Sequence, residues 1–550
     1  MRRRWIWAAL LCAQAAWGGE WRRAQSAHFE MYTDAGKSRA VQMLRRMELA
    51  RQHFQSWGAP PLPVRVVLFS DERQFAPLRG DASTKGFFQA GADRDYIVLL
   101  DAGDGTLRGA VHEFAHLVLH HAAGPLPRWQ EEGIAEFHST LRADGEIVTG
   151  EPVAGHVAML RVEGTLDAAR MLAAARGDMT ALPNRAVPLF YAQSWALIHL
   201  IQARGGGAMR HVMPPFAPIE ESEIGPLIAE LPQYLRRPSP GWKTGRKPDP
   251  PAAVEEEAIP EAQALLAVAD LALRVGSVKY ARALLTGAET AHPDDPGVLH
   301  ETGLLALASH DEAGARARFE KAAQSTSARG QTFFELALLE RERLGVNAPR
   351  VRELLEETVL RTPNHAEAYF LLGQMEESQG RPSRAIEWLE KAVAVLPRQS
   401  RMWYSLALAR HQEGLVVAGQ KAAETALATA NNRLDRERAE ALVEELRGSQ
   451  APGPPAVQTR RPAVTTPEAW NQVQGKEAVA GELRELVCGR GTAPLLRIWN
   501  GSALQELVLE RSTRATGKEV ELRCGAQKPP VPVEVSYDPA TRHAISVNFR

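Results

Sequence analysis

His112, Glu113 and His116 stand in the run H-E-F-A-H, and a short acidic segment, W-Q-E-E-G-I-A-E, follows at residues 129–136. Residues four apart share one face of a helix, so His112 and His116 can present two imidazoles to one metal ion. Glu113 lies about 100° further round the same helix. From there its carboxylate reaches a metal-bound water rather than the metal. The acidic segment can add a third ligand and leave a fourth position open for water or substrate. That is the layout of a catalytic zinc site, not of a closed structural one. The plainer alternative is a buried helix whose histidines are solvated or capped.

The element that must position these groups is an amphipathic helix from Thr106 to His121, with Val111, Phe114, Ala115, Val118 and Leu119 available to a core. Gly124-Pro125 stops it. His120 falls on the ligand face one turn too far along. With His121 it is expected as a helix C-terminal residue favoured by the dipole, not as a ligand.

The segment Trp129–Phe137 (W-Q-E-E-G-I-A-E-F) resembles the W-L-x-E-G-x-A-E-Y segment of gluzincin zinc metallopeptidases. It is most similar to peptidase-MA-like bacterial proteins that join such a domain to helical repeats. The resemblance covers roughly the first 240 residues and is specific at the two motifs. It implies that Glu132, directly before Gly133, is the third zinc ligand, and that Glu136 orients a ligand histidine. Two departures stand out. The gap from His116 to Glu132 is shorter than in aminopeptidase-N-like enzymes, and Glu131 is acidic where Asn or a small polar residue is common, which makes it a rival ligand. A third match, Phe190-Tyr191-Ala-Gln-Ser194-Trp195, resembles the helix that faces the substrate. It implies that Tyr191 donates a hydrogen bond to the oxyanion, against the alternative of an ordinary half-buried tyrosine. Gly86–Ala90 is a candidate for the sheet edge that pairs with an extended peptide, with a plain hairpin strand as the preferred reading.

At 550 residues the chain is too long for one core. Its formal charge of −1 and interleaved acids and bases give no basic, aromatic-spaced patch, so nucleic acid is not an expected partner. Arg2-Arg3-Arg4, the apolar run Trp5–Ala16 and small residues up to Gly19 read as a secretory signal peptide over 1–19, and hence as a secreted or periplasmic protein. Cys12 lacks a small residue before it and makes a poor lipobox. No other segment approaches transmembrane length. Cys488 and Cys524 remain in the mature chain, as a plausible disulfide or as two thiols.

Five further segments follow from the pattern. Residues 20–237 are expected as an α+β zinc metallopeptidase-like domain, with strands at His28–Thr33, Pro63–Phe69 and Tyr96–Leu100, a helix over Lys37–Trp57, and mostly helix from Val187 to Leu235. Residues 238–260, rich in Pro, Gly, Lys and Arg, read as a linker. A period of 34, the length of a tetratricopeptide unit, begins near Ala262, Pro296, Gly330, Ala366 and Ser400. With a capping helix at Arg433–Arg447 these five units fill residues 261–447 as an all-α solenoid. Residues 448–467 are a second Pro-rich linker, and 468–550 a small all-β domain, barrel or sandwich.

The expected function is an exported zinc-dependent peptidase. Zn²⁺ is held by His112, His116 and Glu132, Glu113 is the base for its water, and Tyr191 steadies the oxyanion. The solenoid recruits a protein substrate or partner. The alternative is a non-catalytic tetratricopeptide binding scaffold with a relic zinc domain. Hydrolysis of a non-peptide amide would use the same chemistry.

Overall fold

The computed structural model of the chain describes residues 19–448, apart from 59, 83, 104, 176–185 and 215, and beyond them residues 477–487, 494–500, 504–517, 525–537 and 543–549. The signal segment up to Gly18, residues 449–467 of the second expected linker and both late cysteines lie outside the described residues. The chain divides into two compact units, 1–452 and 453–550. Among the described residues no helix is long and apolar enough to cross a membrane.

The first unit opens with β1 (Arg22–Gln25), β2 (Phe29–Thr33), α1 (Lys37–Phe54), β3 (Val64–Phe69), α2 (Glu72–Phe75), β4 (Gly86–Gln89), β5 (Asp95–Leu100), α3 (Gly105–Ala122) and α4 (Arg128–Ser139). A hairpin of β6 (Arg142–Asp144) and β7 (Glu146–Thr149) follows, then α5 (Ala154–Glu163), α6 (Ala168–Ala175), α7 (Ala186–Arg204) and α8 (Glu221–Tyr234). Two strands, β8 (Trp242–Lys243) and β9 (Glu255–Ala258), precede the repeats.

Six strands form one sheet in the order β4-β5-β3-β2-β1-β9. β2, β3 and β5 are parallel, with Val66 opposite Ile97, while β4 runs antiparallel to β5 and leaves its far side as the sheet edge. Alternation sorts the side chains. Val64, Val66, Leu68, Ile97 and Leu99 face a core with Met43, Leu44 and Met47 of α1 and Val111, Phe114 and Val118 of α3. Val67, Phe69, Tyr96 and Val98 face the other way. A sheet buried on both faces explains why β3 and β5 read as mostly apolar runs, with Arg65 and Asp95 the charged exceptions near their starts.

The second face is covered by the first helix pair of the repeats. Ala264, Val268 and Leu271 of α9 (Glu261–Arg274) and Ala281 and Leu285 of α10 (Val278–Ala291) pack on it. The segment 238–260, expected as a linker, therefore tethers nothing loosely. β8 pairs with β7, placing Trp242 opposite Thr149, and β9 extends the sheet beside β1. Its sequence, E-E-E-A, has low strand propensity, and pairing comes from an edge position and from Arg22 and Lys37 on Glu256.

The remaining pairs are α11 (Pro296–Ala308) with α12 (Glu312–Ala323), α13 (Gly330–Leu344) with α14 (Pro349–Arg361), α15 (Ala366–Ser378) with α16 (Pro382–Val395), and α17 (Ser400–Gln412) with α18 (Val416–Thr429), closed by α19 (Arg433–Gly448). Their starts fall on the repeat positions read from the sequence. A small residue in the first helix meets a large one in the second: a Cβ at Gly303 would lie 2.4 Å from the Phe319 ring, and one at Gly373 2.7 Å from Leu389.

Charge also joins sheet and repeats. The β4–β5 turn carries Asp93, whose Oδ1 accepts from Arg274 Nη2 at 2.7 Å; Arg274 Nε reaches Asp270 Oδ1 at 2.8 Å. The Tyr96 hydroxyl donates to Asp270, and Arg65, bonded to Glu30, lies 3.8 Å from it. Asp93 and Asp270 are 6% and 1% exposed, so these ions exist only because they are paired. Burial pushes Asp93 upward, but Arg274 and Arg94 outweigh it and hold the carboxyl at about 2.

In the second unit, β10 (Glu477–Val487), β11 (Leu495–Trp499), β12 (Leu504–Gly517), β13 (Gly525–Tyr537) and β14 (His543–Phe549) close into a barrel in the order β10-β11-β12-β14-β13. Its interior holds Val479, Leu483, Ile498, Leu507, Val535 and Val547. The barrel is one of the two forms expected for this segment.

Candidate metal centre

α3 and α4 bring three ligand atoms together. His112 Nε2 lies 3.1 Å from His116 Nε2, and Glu132 Oε2 is 3.2 Å from His116 Nε2 and 3.5 Å from His112 Nε2. These three residues are a group suited to hold a metal ion among the described residues. The spacing tests the fit. Tetrahedral donors at roughly 2.1 Å from Zn²⁺ stand about 3.4 Å apart, which is the separation found. Two imidazole nitrogens and one carboxylate oxygen also match the donor set of a catalytic zinc site.

Glu131 does not join this triangle. Its carboxyl turns toward the end of α3 and a cleft beyond it. His120 packs against Phe88, with ring centroids 5.8 Å apart, and His121 Nε2 bonds Asp95 Oδ2 at 2.8 Å, so neither is a ligand here.

The carboxyls around the triangle fall into two electrostatic classes. Burial raises Glu132, but His116 and His112 outweigh it and hold the group far below its ordinary value. Burial likewise raises Glu136, and His156, His112 and Arg108 bring it down to about 2. Glu113 goes the other way: burial raises its carboxyl above the ordinary value, against the pull of His112 and His116. Two ionised carboxylates and one that binds a proton more readily form the kind of division acid–base chemistry uses. Glu113 lies beside the edge strand, since a Cβ on Gly86 of β4 would sit 3.4 Å from its Cγ.

Glu136 stands behind His112, with Oε1 3.7 Å from the ring Nδ1, a buried nitrogen with no hydrogen-bond partner. Arg108, His156 at 3.4 Å and Ser139 hold the carboxylate there. Arg128 Nε stands 3.6 Å from Glu132 Oε1. Arg108, His156 and Arg128 were not singled out in the sequence. Only Arg128, four residues before Glu132, left a readable signal, the i,i+4 spacing.

α4 is fixed by what surrounds it. Gln130 is fully buried; its amide donates to His211 O at 2.7 Å and Ala217 O at 3.0 Å and accepts from Ile219 N. Gly133 touches α7 backbone to backbone, because an added Cβ would lie 2.3 Å from Ser194 O and 2.5 Å from Ile198 Cγ1. Gly133→Ala is therefore expected to separate α4 from α7, at a cost of about 2–3 kcal/mol, and to displace Glu132. A lowered Tm together with weakened zinc binding checks this. An unchanged Tm would mean that the contact relaxes freely.

The same helix α7 carries Tyr191, half-buried, with Glu132, Arg128 and Glu113 among the charges that act on it. Burial raises its pKa, so the hydroxyl keeps the proton it would donate. β4 packs along α3, with Phe88 parallel to His116 at 6.2 Å between ring centres.

A family model described as Tetratricopeptide repeat matches residues 366–411, which span α15, α16 and most of α17. These residues are a tetratricopeptide repeat. No curated protein matches the chain. Among solved structures, the MamA protein is 20% identical over 31% of this chain and 91% of its own, with a TM-score of 0.26. YrrB, described as a TPR protein with an unusual peptide-binding site, is 16% identical over 33% of this chain and 92% of its own, with a TM-score of 0.27. PilF of Pseudomonas aeruginosa is 16% identical over 34% and 92%, with a TM-score of 0.29. Tetratricopeptide helices are a protein- and peptide-binding architecture.

Proposed function

We propose that the chain is an exported zinc-dependent peptidase. The observation that carries this is the convergence of His112, His116 and Glu132 at tetrahedral spacing, with Glu113 beside them. It agrees with the gluzincin resemblance of the two motifs. A bound Zn²⁺ would polarise the scissile carbonyl and lower the pKa of water toward neutrality.

The chain's own groups supply the rest. Glu113 takes the proton of the attacking water and passes it to the leaving amine. Glu136, 3.7 Å behind the His112 Nδ1, favours a proton on that nitrogen by its charge and leaves Nε2 as the ligand atom. Tyr191 donates to the developing oxyanion. The free edge of β4 can take an extended peptide by strand addition, next to Glu113. The first unit therefore offers peptide-bond geometry on the same side as its base. Zinc content and peptide cleavage of the full chain, measured beside Glu113→Gln, test the proposal.

A second reading is favoured by the repeat match at 366–411: a tetratricopeptide scaffold whose metal site is a relic. Both readings give the repeats a protein or peptide partner. They divide at Glu113, which a metal-holding scaffold has no chemical need to keep.

A further inference from the structure

The helical repeats return to the metal-bearing helices. The turn between α16 and α17, residues 396–399, meets the end of α3 and enclosed between them is a cleft of about 180 Å³. At about 30 Å³ per water this is room for roughly six waters, or for one side chain of an extended peptide. Glu131 and His120 line it, the first next to the ligand Glu132 and the second one helical turn beyond the ligand His116. His120 also packs on Phe88 of β4, so the cleft continues the edge-strand side of the metal site. From the repeats, Arg398 lines it too.

Arg398 is half-buried, its guanidinium 3.1 Å from where a Cβ on Gly124 would be, and it forms no hydrogen bond or ion pair with any described residue. Desolvation lowers its pKa and no carboxylate opposes this. Glu131, the one acid among the described residues that line the cleft, is acted on by its burial and by His116, Glu132 and Arg128 instead. The turn that carries Arg398 is pinned, since Trp403 Nε1 donates to Pro397 O at 2.7 Å and Ser400 Oγ to Ala426 O at 2.7 Å. A fixed, partly desolvated cation without an anion is the form a carboxylate-binding site takes.

We propose that this cleft is a substrate subsite in which Arg398 receives a carboxylate of the peptide, from an acidic side chain or from the chain's own C-terminus. The proposal rests on the peptidase reading and names its substrate class. From His116 to Ala122 α3 rises about 9 Å at 1.5 Å per residue. That is about three residues of extended peptide at 3.3 Å each, so the carboxylate lies roughly three residues from the bond that is cut. The repeats thereby help to choose the substrate as part of the site.

The test uses fluorescence-quenched octapeptides in matched sets: Glu against Gln at each position, and free acid against amide at the C-terminus. Wild type is expected to favour one acidic form by about ten- to a hundredfold in kcat/KM. Arg398→Ala brings that ratio close to one, and Arg398→Lys restores part of it. A preference for Glu at one internal position identifies a side chain; a preference for the free acid identifies the terminus. Equal cleavage of acidic and neutral peptides by wild type, or a preference that survives Arg398→Ala, overturns the subsite while leaving the peptidase reading intact. If wild type cleaves nothing, the peptidase reading fails. The subsite is then decided by fluorescence polarisation of the same peptides, without their quencher, on zinc-loaded Glu113→Gln, with and without Arg398→Ala. Acid-selective binding that depends on Arg398 supports it, and its absence overturns it.

Discussion

In Glu113→Gln, peptide hydrolysis is expected to fall by about 10²–10⁴-fold with zinc content and Tm unchanged. Glutamine keeps the shape of the side chain and loses only the ability to accept a proton. Glu113 makes no contact in the ligand triangle, which belongs to His112, His116 and Glu132. Its removal therefore separates catalysis from metal binding, which a ligand substitution cannot do. Zinc retained with activity lost matches the account. Activity retained would take the proton-transfer role from Glu113.

The second large effect concerns the join between sheet and repeats. Arg274→Met leaves Asp93 and Asp270 buried without their shared cation. Breaking a buried pair from one side costs about 3–5 kcal/mol where the remaining charge is uncompensated; Arg94 beside Asp93 and Arg65 beside Asp270 place this loss toward the lower end. Arg274→Met combined with Asp270→Asn is expected to lose less, since the second change removes one orphaned charge and keeps an acceptor for Tyr96. Asp93 belongs to the turn that leads out of β4, so the loss should also loosen the edge strand. Denaturant melts would read the first effect, and faster amide exchange at Gly86–Gln89 the second. A change below about 1 kcal/mol would show that the network is dispensable.

What the sequence made legible follows from which interactions are local. The H-E-F-A-H helix, its stop at Gly124-Pro125 and the five repeat starts depend on period and on residues a turn apart, and the structure has helices at those places. Glu132 was separable from Glu131 only by resemblance; the fold separates them because one helical step turns Glu131 toward the cleft. The join at 238–260 was misread because Pro and Gly dominate its composition, whereas pairing to β1 and β7 is long-range. β1 was missed for the same reason: R-R-A-Q has no apolar alternation and is held between β2 and β9. Arg274 and Arg398 carry no motif or spacing that singles them out. Only the packing of repeats against the first domain gives one two carboxylates and the other none among the described residues.

The proposed peptidase stands on a metal ion held by His112, His116 and Glu132. The most direct measurement is zinc per chain in the purified full chain, in Glu132→Ala and in Glu131→Ala, after dialysis against a weak chelator. One zinc per chain is expected in wild type and in Glu131→Ala, and loss of it in Glu132→Ala. No zinc in wild type, or zinc that survives Glu132→Ala and leaves with Glu131→Ala, would contradict it.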